Sequence, residues 1–409
     1  MAAPTADLDD AALRDWLAEE DPAALGRLFA AADAVRAAAV GPAVHLRGLI
    51  ELSNTCVRAC TYCGISVHHR ALPRYRLGRD EILACARRAT ELGYGTVVMQ
   101  AGEDPLLTRD VIAELVRTIK AETGLAVTLS LGERSRADLL AWRQAGADRY
   151  LLRFETSNPR LYARIHPGRA GEPTGGRADE AEVPRLPRLR ELHALGFQTG
   201  SGVMVGLPGQ TRADLVADLR TFQRLDLDMI GVGPYLPHPA TPLAQEFGTL
   251  TNGGEQVANT VAMTLKMVAL TRILVPDANI PATTAVATLD QATGRAEALK
   301  AGANVIMPNL TPAAYRALYE IYPGKACLNE TAEHGHACLV ARIESLGRCI
   351  GTGPGEAPKS YRRPRPRLNP CGSSPRLRPQ PMPRTSSTRP RSRPRWRVDA
   401  APRPPGCAN

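Results

Sequence analysis

From His45 onward, short apolar runs alternate with helical stretches eight times, and this alternation restricts the fold more than any other property of the 409-residue chain. The runs are HLRGLIELSN (45–54), GTVVMQ (95–100), LAVTLSL (125–131), DRYLLRF (148–154), QTGSGVMV (198–205), DMIGVG (228–233), NIPATT (279–284) and ANVIMP (303–308). They are continuously apolar rather than alternating, the pattern of parallel strands covered on both faces. Helical segments follow them, and ELGYG, RQAGA, HALGF and LKAGA supply glycine stops. Eight such pairs predict an α/β fold, a (β/α)8 TIM-type barrel over residues 45–351. In such a barrel the chemistry belongs at the C-terminal ends of the strands. Residues 1–44 read as an N-terminal helical extension, with Leu13, Trp16, Leu17, Leu25, Leu28 and Phe29 at helical spacing.

Two stretches depart from the pattern. HPGRAGEPTGGRADEAEVP (166–184) reads as a mobile loop. Residues 352–409 form an Arg/Pro-rich tail whose composition cannot bury a core, so it is expected to be disordered. The formal net charge of +10 resides in that tail, which holds 14 Lys/Arg against 2 Asp/Glu, leaving 37 basic and 39 acidic residues elsewhere. The barrel therefore presents no basic face, and nucleic acid is not an expected partner. No apolar run reaches the roughly 20 residues that cross a bilayer. The acidic start, MAAPTADLDDAALRDWLAEEDP, does not resemble a secretory signal. A cytoplasmic location without membrane attachment is expected. In that setting the nine cysteines point to metal or catalytic use rather than to disulfides.

After the first predicted strand, SNTCVRACTYCGI spaces Cys56, Cys60 and Cys63 as C-x3-C-x2-C. Three thiolates on a [4Fe–4S] cube leave one iron with an open coordination position. The amino and carboxylate groups of S-adenosylmethionine can chelate that iron, setting the sulfonium beside the cluster so that one electron breaks its bond to the 5′ carbon. Cys56, Cys60 and Cys63 are thus the expected metal ligands and the catalytic core. The alternative metal is zinc, with His68 or His69 as fourth ligand. An electron carrier would want four protein ligands and no vacancy, and needs no large barrel.

The other strand ends are polar. Gln100, Gly102, Glu103 and Asp104 follow the second run, Ser130 and Glu133 the third, and Arg153 and Glu155 the fourth. Asp104 reads equally well as a helix-capping acid. Arg185, beyond the predicted loop, can clamp a carboxylate bidentately.

The cysteine spacing, with Tyr62 before the third cysteine at the mouth of a first barrel strand, resembles the signature of the radical S-adenosylmethionine superfamily. Within it, IELSNTCVRACTYCGI, VVMQAGEDP, LSLGERSR, AGADRYLLRFETSNPRLYARIHP, GVGPYLPHPATPLA and GANVIMPNLTPAAYRALYEIYPGKAC together resemble the HydE-type [FeFe]-hydrogenase maturases, from roughly residue 45 to 351. The resemblance implies a [4Fe–4S] cluster and S-adenosylmethionine as cofactors. It implies cofactor contacts from Tyr62, Gln100, Glu103, Ser130, Glu155 and Arg185, and a substrate cavity lined by Arg153, Thr283, Thr284, Met307, Tyr319 and Tyr322. Barrel-layer packing is an equal reading for the threonines, and core filling for Met307. The implied substrate is a small or organometallic molecule on the route to the di-iron subcluster. An external one-electron reductant and other hydrogenase maturases are the implied partners.

Related maturases often carry three further cysteines near the end of the barrel, which hold an accessory cluster. Here Cys327 and Cys338 match the first and third, but Gly335 stands at the middle position, with His334 and His336 as neighbouring donors. Two rivals share the triplet and the barrel. Biotin synthase needs a second cluster on cysteines inside the barrel, and none lies between Cys85 and Cys327. Methylornithine synthase has no such requirement and stays open.

Overall fold

The computed structural model describes residues 7–168, 181–246, 255–326 and 332–361. Most of the loop expected at 166–184, Cys327, the His334 side chain and residues 362–409 of the expected tail lie outside the described residues. Strands β1 (Ala43–Ser53), β2 (Thr96–Ala101), β3 (Ala126–Ser130), β4 (Arg149–Leu151), β5 (Gln198–Val205) and β6 (Met229–Pro234) pair in chain order, all parallel. Strand β7 (Val305–Ile306) takes the other edge of β1.

The seventh predicted strand is not a regular strand. Residues 279–281 are extended and make two isolated parallel bridges, Met229↔Asn279 and Pro281↔Val305. Ile230 N–H donates to the Asn279 carbonyl at 2.9 Å, and Ala282 N–H to the Val305 carbonyl at 2.9 Å, so the segment joins β6 to β7 and closes the ring. Its ladder is short because Pro281 has no N–H and Thr283 already caps the helix Thr284–Leu289. Strand β4 is likewise shorter than its apolar run, since the chain bends after Leu151 to reach Glu155, a non-glycine residue at φ 64°.

Helices α1 (Asp10–Ala18) and α2 (Pro22–Val40) precede the barrel, as their spacing predicts. Between the strands run α3 (Arg79–Glu91), α4 (Arg109–Thr123), α5 (Arg136–Gln144), α6 (Pro159–Ile165), α7 (Arg185–Ala194) and α8 (Arg212–Leu225). Their starts carry the expected oxygen caps: Thr108, Ser135 and Thr211 accept N–H groups of the first turn. Helix Val261–Leu274 is buried along nearly its whole length because α2 covers it from outside.

The N-terminal end of the barrel is sealed by residues just past the boundary that composition suggests. Strand β8 (Cys349–Ile350) pairs with the start of β1, and residues 351–361 continue beneath the ring. The Pro354 carbonyl accepts from Arg149 Nη2 at 2.8 Å and Thr96 Oγ1 at 2.9 Å. That of Gly355 accepts from Arg47 Nη2 at 2.9 Å and Asn279 Nδ2 at 3.0 Å. A Cβ on Gly95 would lie 1.7 Å from the Gly353 carbonyl oxygen, so glycine is required for this approach. Lys359, nearly buried, pairs with Asp226 at 3.0 Å and Asp277 at 3.3 Å. Packed structure therefore extends at least to Tyr361.

Candidate active site

At the opposite end, β1 runs out at Ser53 and the cysteine loop begins. Its backbone is held from outside by Arg74, whose guanidinium donates to the carbonyls of Asn54 (2.6 Å), Ile65 (2.7 Å), Ser66 (2.9 Å) and His69 (3.1 Å). Gly102 lets the end of β2 touch the loop: a Cβ there would sit 2.4 Å from the Thr55 carbonyl oxygen and 2.7 Å from Cys56 Cβ. Gly64 does the same on the other flank, where a Cβ would meet the Glu320 carbonyl oxygen at 2.2 Å.

All three thiols face one cavity of about 340 Å³ at the C-terminal mouth. Every cofactor and substrate residue expected from the sequence also lines it: Tyr62, Gln100, Glu103, Ser130, Glu155 and Arg185, then Arg153, Thr283, Thr284, Met307, Tyr319 and Tyr322. Thr283 combines both of its readings, since it caps a helix and donates to the Val232 carbonyl at 3.2 Å while facing the cavity. Met307 is only half-buried, so it is a wall residue rather than core filling. Cys338 is exposed on the helix Ala332–Ser345, apart from this group. Asp104 is a fastening rather than a ligand contact. Its carboxylate accepts from Ser53 Oγ (2.7 Å), Arg76 Nε (2.7 Å) and the Leu106 N–H (2.9 Å).

Two charge networks shape the mouth. Arg58 binds Glu103 at 2.7 Å and Glu133 at 3.1 Å, and Arg185 binds Glu133 at 3.0 Å. Burial alone would raise the Glu133 pKa, but Arg185 and Arg58 hold it below the ordinary carboxylate range. In the second network Arg153 donates to Glu155 at 3.0 Å, and Tyr62 Oη to the other carboxylate oxygen at 3.5 Å. The left-handed backbone of Glu155 is costly for a side chain of this size and turns its carboxylate into the cavity.

The donor set suits an iron–sulfur cube. Burial, followed by the neighbouring Cys56, pushes the Cys63 thiol up to about 12, and burial, followed by Cys63, raises the Cys60 thiol well above its ordinary value. Such thiols stay protonated unless a metal ion takes the proton's place. Burial also raises the Cys56 thiol, and the N–H groups of Arg58 (3.5 Å) and Glu103 (3.4 Å) that its Sγ accepts offset part of that rise. The zinc alternative finds no fourth ligand in His68 or His69, since neither lines the cavity that the three thiols face.

Sequence reasoning missed a buried ion pair of the cavity wall. Glu51 and Lys325 form an ion pair inside the cavity wall, and Asn309 Nδ2 donates to the same carboxylate at 3.0 Å. An acid at the centre of the apolar run IELSN is the signal that could have found it. Arg58, inside the cysteine motif, and His166, whose Nε2 is 3.3 Å from Cys60 Sγ, were missed as well.

Comparison with known proteins agrees with this geometry. The Radical SAM superfamily profile matches residues 50–222. The [FeFe] hydrogenase maturase subunit HydE of Thermotoga maritima is 47% identical over 340 residues, covering 83% of this chain and 91% of that one. The chain belongs to the HydE family of radical S-adenosylmethionine enzymes. A [4Fe–4S] cluster and S-adenosylmethionine are the cofactors of a HydE-type enzyme, and its substrate is a small molecule. The 3-methylornithine synthase of Methanosarcina barkeri is 30% identical over 307 residues, covering 75% of this chain and 80% of its own. The crystal structure of methylornithine synthase (PylB) superposes with a TM-score of 0.68 at 27% identity, over 84% of this chain and 94% of that one. Among the described residues no helix of this HydE-type chain is long and apolar enough to cross a membrane.

Proposed function

We propose that this enzyme cleaves S-adenosylmethionine at the mouth of its barrel and directs the resulting radical onto a small, sulfur-bearing organometallic precursor of the hydrogenase di-iron subcluster. It works in the cytoplasm with the other maturases and an external one-electron donor. What supports the reading is the meeting of Cys56, Cys60 and Cys63 with Tyr62, Gln100, Glu103, Ser130, Glu155 and Arg185 around one cavity.

Cys56, Cys60 and Cys63 would hold the cluster. When bound, cluster and S-adenosylmethionine together supply a 5′-deoxyadenosyl radical and methionine. The protein's share is orientation. Arg185, braced by Glu133, suits a carboxylate, while Glu103 and Glu155 suit an ammonium group and hydroxyls. Arg153, Thr283, Thr284, Tyr319 and Tyr322 offer donors to a polar substrate deeper in the barrel, and Met307 an apolar contact. Residues 351–361 close the far end, so the radical meets substrate rather than bulk water.

The test is anaerobic reconstitution with iron and sulfide, followed by dithionite-driven turnover. About four irons per chain and formation of 5′-deoxyadenosine are expected, and Cys56→Ala, Cys60→Ala and Cys63→Ala should each lose both. Full cleavage by the triple variant would overturn the reading. Its likeness to 3-methylornithine synthase favours one second reading. Accumulation of 3-methylornithine when the twenty common amino acids are supplied would decide for it.

A further inference from the structure

His166 stands between the cysteine that binds it and the arginine of the cofactor clamp. It ends α6, where its N–H donates to the Tyr162 carbonyl at 2.8 Å. The residues on either side of Cys60 tie the cysteine loop to the same turn: Ala59 N–H donates to the Gly168 carbonyl and Thr61 N–H to that of Ile165, both at 3.0 Å. The imidazole is fixed as well, stacked on Tyr162 with ring centroids 5.1 Å apart and tilted against Tyr62. It is buried in the wall of the cavity.

Its Nε2 has two neighbours. Cys60 Sγ is 3.3 Å away, and Arg185 Nη2 is in hydrogen-bond contact with the same nitrogen. An imidazole nitrogen offers one in-plane position, filled by a lone pair or by a hydrogen. Arg185 can only donate, so it needs the lone pair; a metal-bound thiolate can only accept, so it needs the hydrogen. Nε2 therefore serves one of them at a time. Burial, then the charges of Arg185 and Arg58, push the ring's pKa well below its ordinary value, so the ring is neutral and holds a single N–H. The usual lock on a tautomer is a partner for the second nitrogen, and Nδ1 has none among the described residues.

We propose that His166 is a positioning residue that couples the cluster to the cofactor clamp, its Nε2 serving Arg185 or Cys60 according to whether the cofactor's carboxylate has taken up Arg185. The inference rests on the reading of Cys60 as a cluster ligand and of Arg185 as the carboxylate contact. Arg185 Nε is held by Glu133 at 3.0 Å and Nη1 by the Arg153 carbonyl at 2.5 Å, both acceptors that need the guanidinium, so Nη2 is the arm most easily drawn away. Once it leaves, the ring takes up a proton at Nε2 and releases the one at Nδ1, its charge unchanged and no electron transferred. A hydrogen bond from Nε2 to Cys60 Sγ withdraws charge from the sulfur and favours the reduced cluster, which carries one more negative charge. Coupling of this kind is reciprocal: a bound carboxylate makes the cluster easier to reduce, and a sulfur that holds the Nε2 hydrogen leaves Arg185 free for the carboxylate.

The test is an EPR-monitored redox titration of the reconstituted enzyme, wild type against His166→Phe, each with and without S-adenosylmethionine. Phenylalanine keeps the ring contacts and removes the nitrogen. With S-adenosylmethionine present, the reduced-to-oxidised ratio of the variant at a fixed potential should be about tenfold lower, a midpoint lower by about 59 mV for one electron. Without it the gap should shrink to a small part of that, because Arg185 then competes for Nε2. A gap of the same size in both conditions, or no gap in either, overturns the coupling. A second measurement needs no variant, and so decides the matter even where His166→Phe fails to take up iron. In wild type carrying 15N-labelled histidine, pulsed EPR of the reduced cluster should show a 15N coupling that grows when unlabelled S-adenosylmethionine is added. A coupling that is absent, or unchanged by the addition, overturns the proposal. Failure of the wild type to hold about four irons per chain, or a cluster signal indifferent to S-adenosylmethionine, instead overturns the reading on which it rests.

Discussion

Replacing Lys325 by methionine should destabilise the barrel far more than the loss of one surface charge, because its ammonium is the only cation bound to the Glu51 carboxylate among the described residues. The two side chains are 5% and 1% exposed. In the variant Glu51 keeps Asn309 Nδ2 at 3.0 Å, a single neutral donor for a buried charge. Breaking a buried pair from one side costs about 3–5 kcal/mol, a large share of the roughly 5–15 kcal/mol that holds a domain folded. At this chain length that corresponds to a melting temperature lower by roughly 4–7 °C. The assay is an anaerobic circular-dichroism melt of wild type, Lys325→Met, Glu51→Gln and the double variant. The double variant should regain most of the loss, since a neutral amide beside methionine has no charge to strand. The methionine stem keeps the apolar contact with Tyr319, over whose ring Lys325 Nζ lies at 5.2 Å, so packing changes little. A loss below about 1 kcal/mol in Lys325→Met, or a double variant no better than the single, would refute the reasoning.

Gly102→Ala should keep the fold but lose most of the iron, because the new methyl group must displace the Thr55 carbonyl and Cys56, 2.4 and 2.7 Å away; iron per chain after reconstitution is the readout. A chain stopped after Tyr361 should melt as the full chain does. One stopped after Gly351 should lose several kcal/mol, since Arg47 and Arg149 stay buried without the Pro354 and Gly355 carbonyls. Burial pushes the Asp218 carboxyl up to about 8, with Ser157 N–H on one oxygen at 2.6 Å and no partner on the other among the described residues. The unfolded group titrates near ~4, so between that pH and about 8 the folded chain keeps a proton that the unfolded chain releases, and stability falls as pH rises through this window. Asp218→Asn should remove that slope, and parallel melting curves for variant and wild type at pH 5 and pH 8.5 would count against it.

The parts of this protein that were legible in its sequence are those encoded by neighbours along the chain. Cys56, Cys60 and Cys63 share one loop, so their spacing alone carries the chemistry. Strands β1, β2, β3, β5 and β6 are continuous apolar runs whose burial on both faces follows from composition. The run at 279–284 looked the same, but Pro281 lacks the donor a ladder needs and Thr283 is committed to a helix cap. The Glu51–Lys325 pair spans 274 positions, and no local pattern joins its halves. Only the oddity of a carboxylate in an apolar strand marks it.

The seal beneath the barrel was hidden for a different reason. Composition reports side chains, and GTGPGEAPKSY has almost none that could build a core. Its work is done by the backbone: two carbonyls accept from Arg47, Arg149, Thr96 and Asn279, four donors that the strands and the closing segment 279–281 aim down the barrel axis. The signal was present on the other side of the contact. Arg47 and Arg149 lie within otherwise apolar runs, and a buried guanidinium requires acceptors. The carboxylates in those runs are committed elsewhere, Glu51 to Lys325 and Asp148 to Lys120, so the acceptors had to come from another part of the chain. A Gly/Pro segment, whose carbonyls are free of any ladder and whose glycines allow close approach to Gly95 and His45, meets that need.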